Sequence, residues 1–589
     1  MTTRRAVPSR VVTGWLAALL STLLLLSACS PGDPEIEAAA NTAEATQDAA
    51  VDGTRAPSIQ GGGTLRAVAP AVDSLDPARS YLPWVWNLMR LYTRTLVTYD
   101  SAAGVAGAEL VPDLATGLGV ASDNNQTWTY TLRPGTAFEN GRPITAQDVK
   151  YGIERSFASE VIIGGPLYVV SLLDDPEAPY PGPYFVAEEG DPAPSLARVE
   201  TPDPSTIVFR LSRPYAAFDH VMALPSSSPV PREADTRADY GQAPLSSGPY
   251  RVSSIDPITG IVLERNPVWD PSTDDVRTAR PDRVEVHTGL AAVERDQLIL
   301  GGSADLDLGG GVAPESIERV LGDPDIAART DQIATGALQL LAMPATVAPF
   351  DNPACRLSVA AAIDVAAIQQ ALGGAPLAQP TRGLWPSIVA GNMPAASTAP
   401  VGDMGEARRQ LSACGIPAGF STTIAAPNQA AALAVADVIR VNLRAVGIDA
   451  TVQGLDPATF YTSDIGSPAT VAANGYGILL TRWSADFPDP ASFLGPLVDG
   501  REITAAGNTN VAELNDPAIN ELVDSAYAAP NDRSALAAWE TVAQTVTGSG
   551  SYVPVVEERT VLLAGERLHN AVVHWAYAGY DLATVAVRG

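Results

Sequence analysis

Residues 127–149 read TWTYTLRPGTAFENGRPITAQDV, and they contain the two kinds of local pattern that decide the fold. In the first part, apolar side chains alternate with polar ones, at Trp128, Tyr130 and Leu132. A period of two residues is typical of a strand with one buried face. In the second part, Thr145 precedes Asp148 by three residues, which is typical of a helix N-terminus. The stretch therefore predicts a strand followed by a helix.

The same two patterns recur along the chain. Ile207, Phe209 and Leu211 indicate another alternating strand, and two short runs on either side of residues 256–259 predict a hairpin. The second half predicts helices at 356–372, 429–446 and 534–546, interleaved with strands at 422–425, 450–452 and 478–483. Strands that alternate with helices predict an α/β architecture.

Composition limits the class of protein and its partners. The chain has 589 residues and a formal net charge of −29, from 37 Lys+Arg against 66 Asp+Glu. So acidic a chain repels polyanions, which excludes nucleic acid as a partner. Hydrophobic residues make up 46% and charged residues 17%, and this balance excludes a disordered chain. The length predicts two to four structural units.

The amino end has the pattern of an export signal. Arg4 and Arg5 precede an apolar stretch from Val11 to Leu26, and small residues lead from there to Cys29. This order predicts a secretory signal peptide over residues 1–28. The string LSAC at 26–29 resembles a bacterial lipobox, which implies that Cys29 is acylated and becomes the first mature residue. The alternative is an ordinary secretory peptide with an incidental cysteine.

Residues 29–58 differ in composition from the remainder of the chain. They lack aromatic side chains and are rich in Ala, Asp, Glu, Thr and Pro. Such a segment buries too little apolar surface to fold by itself. We therefore expect a flexible tether that ends at residue 58, with membrane contact through the lipid anchor only.

A series of short strings occurs in a fixed order. They are GGTLR at 62–66, DSLDP at 73–77, LYTRTLV at 91–97, LVPDLA at 110–115, the stretch 127–149, SGPY at 247–250 and WSADFPDP at 483–490. Each string is weak evidence alone, but their order over some five hundred residues is specific. The series resembles the family 5 extracellular solute-binding proteins of ABC transporters, the oligopeptide- and dipeptide-binding group.

The resemblance implies a two-lobed, periplasmic-binding-protein-like α/β fold of type II, in the class of large peptide binders. Lobe I would comprise residues 59–334 and 553–589, with an inserted subdomain at about 97–215, and lobe II would comprise 335–552. The chain would cross between the lobes at 338–344 and return at 552–558. Ligand contacts from both lobes would then be complete only when the lobes close.

The resemblance also implies ligand-binding residues. The aspartate of the matching Trp-x-x-Asp string pairs with the peptide α-ammonium in peptide-binding members, and that position is Asp486 here. The alternative is that Asp486 caps the turn at 488–490. Trp483 would form the wall of a side-chain pocket, with packing in the core as its alternative. The backbone of Ser484 would pair with an extended ligand. Tyr81 and Trp84 lie where a lobe I loop approaches the ligand; core or surface packing is their alternative.

Two positions depart from the pattern of the peptide binders. Glu557, followed by Glu558, stands where some members have aromatic residues, and Arg482 stands where at least some have glycine. An added acid favours a basic ligand, whereas Arg482 favours a ligand carboxylate. The alternative for both is a solvated charge. These departures leave a peptide as one of several candidate ligands.

The three cysteines divide into Cys29 and a pair, Cys355 and Cys414. An even pair in an exported protein predicts a disulfide, with two buried thiols as the alternative. No Cys-x-x-Cys string occurs, and the four histidines lack metalloprotease spacing. We therefore expect no metal and no cofactor.

The family resemblance and the pattern of the amino end together imply a monomeric, non-enzymatic receptor on the outer face of the cytoplasmic membrane. It would bind a small solute, with a peptide as the leading candidate, and deliver it to an ABC permease that its ATPase subunits drive. Rivals within the family bind nickel chelates, haem, oligosaccharides or opines. A rival of another class is a secreted hydrolase, in which Asp486 and Asp489 would form an acid–base pair.

Overall fold

Strands from distant parts of the chain meet in the sheets of this protein. A computed structural model describes residues 46–186, 194–256, 258–389 and 401–588. The predicted signal peptide at 1–28 and the predicted acylation site at Cys29 lie outside these ranges. Within them, no helix is both long enough and apolar enough to cross a membrane.

The strands, in chain order, are β1 Thr64–Val68, β2 Val97–Tyr99, β3 Leu110–Pro112, β4 Val120–Ser122, β5 Thr127–Thr131, β6 Val199–Asp203, β7 Thr206–Arg210, β8 Tyr250–Asp256, β9 Gly260–Arg265, β10 Arg283–His287, β11 Leu306–Asp307, β12 Thr330–Ala342, β13 Ala378–Pro380, β14 Ser421–Pro427, β15 Asp449–Leu455, β16 Tyr476–Ser484, β17 Tyr552–Leu563, β18 Leu568–His569, β19 Val573–His574, β20 Gly579–Tyr580 and β21 Ala586–Val587.

The α-helices are α1 Pro83–Met89, α2 Ala146–Arg155, α3 Tyr168–Leu173, α4 Phe218–Met222, α5 Ala292–Leu300, α6 Ile317–Gly322, α7 Pro324–Ala327, α8 Pro353–Ala362, α9 Val365–Ala371, α10 Met404–Ala413, α11 Ala430–Arg444, α12 Pro468–Asn474, α13 Pro490–Val498, α14 Pro517–Tyr527 and α15 Asp532–Gly548.

The three larger sheets use different parts of the chain. One has the strand order β11-β1-β10-β9-β8, a second has β13-β17-β12-β16-β14-β15, and a third has β4-β5-β7-β6. The third sheet lies within the predicted subdomain at 97–215. The second draws most of its strands from the predicted lobe II. The lobe boundaries stay a prediction.

The stretch at 127–149 folds as its pattern predicts. Trp128 and Tyr130 on β5 are buried, which confirms the alternating strand. Thr145 and Asp148 form a reciprocal capping box at the start of α2, so the predicted helix N-terminus is also confirmed. The predicted hairpin is the antiparallel pair β8 and β9.

The helix predicted at 356–372 is wrong, because the structure has two helices there. α8 ends at Ala362, Ile363 is extended, and α9 begins at Val365. The side chain of Asp364 accepts hydrogen bonds from the backbone N–H groups of Ala366 and Ala367. Asp364 is thus an N-cap, and the apolar periodicity continued across it and concealed the break.

The folded body begins before the predicted boundary at Ile59. The guanidinium of Arg55 lies 2.9 Å from the carboxylate of Asp331, and both side chains are buried. The backbone N–H of Val573 donates to the carbonyl of Ala50 at 2.8 Å. Residues 46–58 therefore pack on the body, because Arg55 neutralises a carboxylate some 276 residues away.

Two long antiparallel strands carry the segments that the sequence assigns to the crossings. β12 and β17 pair with Leu338 opposite Glu557 and with Ala342 opposite Tyr552. The register shifts between Ala334 and Leu338. The predicted outgoing and returning crossings thus lie side by side in one ladder.

Cys355 and Cys414 form a disulfide with their Cα atoms 5.1 Å apart. Cys355 lies on α8, and Cys414 comes directly after the last residue of α10. The bond thereby links two helices, through cysteines that are 59 residues apart in the chain.

We predict that replacing both cysteines, Cys355→Ser with Cys414→Ser, destabilises the protein by about 4 kcal/mol. The reason is that the bond restricts a loop of some 60 residues in the unfolded chain. Denaturant unfolding with and without a reducing agent measures the change. Reduction should lower the midpoint of the native protein and leave the double variant unchanged. A native protein that reduction does not destabilise would contradict the prediction.

Candidate functional site

Asp486 lies between β16, which ends at Ser484, and α13, which begins at Pro490. Two tyrosines from the first third of the chain contact its carboxylate. The hydroxyl of Tyr81 donates to Oδ2 at 2.8 Å, and the hydroxyl of Tyr168 donates to the same atom at 2.5 Å. Tyr168 is the first residue of α3, and Tyr81 precedes α1. The three side chains form one cluster from segments far apart in sequence.

Burial raises the pKa of the Asp486 carboxyl to about 6, although the hydrogen bonds from Tyr168 and Tyr81 act in the opposite direction. Desolvation disfavours the charged form of a carboxyl group, whereas hydrogen-bond donors favour it. Both tyrosine hydroxyls donate to Oδ2, so Oδ1 is the atom still able to accept from another group. The site thus holds an acid that lacks a full complement of partners.

Several other buried carboxylates in this protein have arginine partners. Arg277 lies 2.8 Å from Asp113, and Arg155 lies 2.7 Å from Asp76. Burial alone would raise the pKa of Asp113, but Arg277 and Arg94 hold it well below its usual range. Among the described residues, by contrast, no cation contributes to the environment of the Asp486 carboxyl.

A cavity of about 350 Å³ opens beside Asp486. Its aromatic lining comes from Tyr168, Tyr215, Trp483 and Tyr527. Arg213 and Glu502 also line it, and their side chains pair at 3.4 Å. The cavity therefore offers one uncompensated acid, aromatic surface and one ion pair that is neutral overall.

Trp483 and Ser484 contribute an edge of the sheet to this region. The indole Nε1 of Trp483 is buried and has no hydrogen-bond partner within the described part of the chain. β16 pairs with β12 as far as Ser484, whereas its described pairing with β14 stops at Leu479. The N–H of Arg482 points away from β12, to the hydroxyl of Tyr461 at 3.1 Å. Strand alternation puts the N–H of Ser484 on that same open side.

Arg482 is neutralised by a neighbouring acid. Its guanidinium lies 2.9 Å from the carboxylate of Glu558 and also donates to the hydroxyl of Ser484 at 3.1 Å. The arginine side chain is 50% exposed, which agrees with a solvated pair. The charge of Arg482, which departs from the family pattern, is thus compensated within the protein.

Glu557 lies in a different cavity from Asp486. Its side chain is 7% exposed, and Oε1 accepts from the backbone N–H and the hydroxyl of Ser387 at 2.6 and 2.8 Å. Burial raises the pKa of the Glu557 carboxyl, and the bonds from Ser387 oppose this. The structure therefore separates Glu557 from the cluster around Asp486.

The remaining expected contacts fall into two groups. Tyr81 is 43% exposed and reaches Asp486, whereas Trp84 lies on α1 and packs against the hydrophobic core.

The turn at 488–490 is capped by Asp489, whose side chain accepts from the N–H of Ala491 at 2.8 Å. Burial raises the pKa of Asp489 to about 6 as well. The described residues contain no group of three or more His, Cys, Asp or Glu placed to hold a metal ion.

Several residues of the cavity have no signal in the sequence. Tyr168 reaches Asp486 across 318 residues, and Tyr215 stacks on Tyr527 with ring centroids 5.0 Å apart. Neither Tyr168 nor Tyr215 belongs to a recognisable string. Their roles depend on tertiary contacts, which no local pattern marks.

Comparison with known sequences gives one family. The profile described as bacterial extracellular solute-binding proteins, family 5 Middle, matches residues 109–505. The glutathione-binding protein GsiB of Salmonella typhi is 24% identical over 466 residues, which cover 75% of this chain and 79% of that protein. The probable D,D-dipeptide-binding periplasmic protein DdpA of Escherichia coli strain K12 is 26% identical over 243 residues, 40% of each chain.

Comparison with solved structures gives the same result. Clavulanic acid biosynthesis oligopeptide binding protein 2 is 42% identical and superposes with a TM-score of 0.88, covering 94% of this chain and 100% of that one. The periplasmic binding protein DppA from Helicobacter pylori, in complex with the peptide STSA, is 19% identical with a TM-score of 0.64. It covers 90% of this chain and 99% of its own. These similarities confirm the predicted two-lobed α/β fold class.

We predict that Asp486→Asn stabilises the empty protein at pH 7.5 by up to about 3 kcal/mol. The pKa of Asp486 in the folded protein, about 6, lies above the usual value of 3.8. Between these values the folded state binds more protons than the unfolded state, so stability decreases as the pH rises from about 4 to about 6. The neutral asparagine side chain does not titrate, so the variant does not lose stability in this way.

Denaturant unfolding at pH 7.5 and pH 4.5 measures the effect, with Glu521→Gln as the matched control on an exposed acid. The advantage of Asp486→Asn over the native protein should shrink at the lower pH, where the native carboxyl is protonated. An advantage that is absent at pH 7.5 would contradict the assignment of an uncompensated carboxylate.

Proposed function

This chain belongs to the bacterial extracellular solute-binding proteins of family 5, and from that premise we propose that it captures a peptide by its free amino end. The captured peptide is delivered to the permease of an ABC importer, whose ATPase subunits supply the energy. In this proposal the protein is a monomer on the outer face of the cytoplasmic membrane, held there by a lipid on Cys29. It catalyses no reaction.

The observation that carries the proposal is the carboxylate of Asp486, which lacks a cation of the protein within the described residues. A peptide α-ammonium at Oδ1 would supply the missing charge and three hydrogen-bond donors. Charge-assisted hydrogen bonds in a desolvated site are about twice as strong as neutral ones. Tyr81 and Tyr168 keep the carboxylate oriented by holding Oδ2.

The cavity sets the size of the first ligand residue. Its volume of about 350 Å³ is at the lower end of the range for ligand pockets, about 300–1,000 Å³. Tyr168, Tyr215 and Tyr527 provide aromatic walls, which suit an apolar side chain. We therefore propose that the first residue of the peptide occupies this cavity.

The open edge of β16 supports an extended ligand beyond that first residue. The N–H of Ser484 lies on the side away from β12 and is available to a backbone carbonyl. A peptide that adds to this edge as a strand gains backbone hydrogen bonds that do not depend on its sequence. The Nε1 of Trp483 is a further donor close by.

Tyr81 and Tyr168, which hold Asp486, lie on the other side of the predicted lobe boundary from it. A ligand held by both sides binds the closed state more tightly than the open one, and so shifts the population toward closure. A permease can then distinguish loaded protein from empty protein by shape. In this proposal Arg482, Trp84 and Glu557 do not contact the peptide, because each has other partners or another location.

The names of the relatives favour a peptide over the other solutes of the family. An oligopeptide binding protein is 42% identical to this chain, and glutathione- and dipeptide-binding proteins are among its matches. Nickel chelates, haem, oligosaccharides and opines remain as outcomes of a ligand screen. A hydrolase is disfavoured because Asp489, the second member of the suggested acid pair, is a helix cap.

We predict that N-acetylation of a bound peptide weakens its affinity by at least about 30-fold, which corresponds to about 2 kcal/mol, because a buried charged hydrogen bond is lost. Calorimetry with di- to pentapeptides and their N-acetyl forms measures this. Asp486→Asn should lower the affinity for the free-amino peptide by a similar factor and the affinity for the acetylated peptide much less. Glu521→Gln serves as the control and should bind both peptides as the native protein does.

Two results of the binding measurements would contradict the proposal. One is equal affinity for a free-amino peptide and its acetylated form. The other is a screen in which nickel chelates, haem, sugars or opines raise the melting temperature while peptides do not, since a ligand that binds only the folded state must stabilise it. Formation of a product from any ligand would favour the hydrolase.

A further inference from the structure

A second cavity, of about 370 Å³, lies where β12, β13 and β17 meet the C-terminal segment. It is lined by residues of all three strands, by Ser387 and Ile388, by Val51 near the start of the folded body and by residues between Val573 and Ala578. None of its lining residues also lines the cavity beside Asp486. The two cavities thus have separate linings.

Glu557 is the buried charge of this second cavity. Its side chain is only 7% exposed, and Oε1 is held by two hydrogen bonds from Ser387. Within the described residues, Oε2 has no hydrogen-bond partner, and no cation lies within salt-bridge distance of the carboxylate. A buried carboxylate of this kind is costly unless something pairs with it. One oxygen is thus fixed in place, and the other is free to accept from a ligand.

Arg559 provides a charge of the opposite sign on the same strand. It is two residues from Glu557, so both side chains leave β17 on the same face, with Cα atoms about 6.6 Å apart in a regular strand. Within the described part of the chain, the guanidinium makes one long hydrogen bond, of 3.4 Å, to the carbonyl of Gln332. Most of its donors therefore stay available to a carboxylate, which the planar guanidinium binds in a bidentate manner.

The remaining walls are mainly apolar. They comprise Val51, Ile333, Ile388, Val573 and Trp575. The amides of Gln332 and Gln379 and the imidazole of His574, whose buried Nε2 has no hydrogen-bond partner among the described residues, complete the polar side of the cavity. A ligand that matches this lining has an ammonium and a carboxylate close together and a side chain that is apolar.

We propose that this cavity is a binding site for a free α-amino acid with an apolar side chain. Its ammonium donates to Oε2 of Glu557, its carboxylate accepts from the guanidinium of Arg559, and its side chain packs on the apolar wall. The site does not depend on Asp486, so it is independent of the peptide site proposed above.

Calorimetry on the full chain tests the site, with L-leucine and L-phenylalanine as probes. N-acetyl-L-leucine lacks the ammonium, and L-leucinamide lacks the carboxylate. We expect one equivalent of L-leucine to bind the native protein and both derivatives to bind at least about tenfold more weakly. Asp486→Asn should bind L-leucine as the native protein does.

Three variants address the cavity itself. Glu557→Gln keeps an acceptor for Ser387 but loses the charge, and Arg559→Gln loses the guanidinium. Each variant should lower the affinity for L-leucine by at least about tenfold. Ile388→Trp fills the cavity and should abolish binding. Circular dichroism and retained peptide affinity show that each variant is folded.

The absence of binding of either free amino acid at millimolar concentration would overturn the proposal. Binding that survives Glu557→Gln and is lost in Asp486→Asn would overturn it as well, because the amino acid would then occupy the cavity beside Asp486. Equal binding of L-leucine and its two derivatives would show that the charges of Glu557 and Arg559 are not used, and would overturn it too.

Discussion

A carboxylate that is withdrawn from water needs a partner of opposite charge, and this protein supplies that partner to Asp113, Asp76 and Asp331 through buried arginines. Among the described residues, Asp486 receives only two tyrosine hydroxyls, both on one oxygen. Taking an ion out of water without a counter-ion costs several kcal/mol, and the raised pKa of Asp486 reflects that cost. A ligand cation that pairs with the Asp486 carboxylate offsets this cost while it is bound. The empty protein bears the whole cost, so its folded state is less stable than it would be with a compensated carboxylate.

The rest of the fold positions this one group. β16 brings the chain to Ser484, α13 carries it away from Pro490, and Asp486 is held in the short connection between them. Tyr81 and Tyr168 approach from the first third of the chain, ahead of and at the start of two short helices. The paired strands β12 and β17 carry both segments assigned to the crossings. The contacts at Asp486 thus join side chains from distant segments of the chain.

The parts of the fold that depend on local pattern could be predicted from the sequence. The strand at Trp128 and the capping box of Thr145 were of this kind, because each interaction lies within a few residues. The break between the helices at Asp364 could not be predicted, because a capping aspartate interrupts an apolar period that continues on both sides. The resemblance to a family string marks Asp486 in the sequence, whereas nothing local marks Tyr168, which is 318 residues away.

The titration of Asp486 itself, in empty and in peptide-loaded protein, tests the central claim most directly. Carbon-13 NMR of the aspartate carboxyl carbons measures it, with the resonance assigned by its loss in Asp486→Asn. We expect a pKa of about 6 in the empty protein and a value below the usual 3.8 when a free-amino peptide is bound, because the ammonium stabilises the charged form. A pKa that stays at about 6 in the saturated complex would contradict the role assigned to this carboxylate.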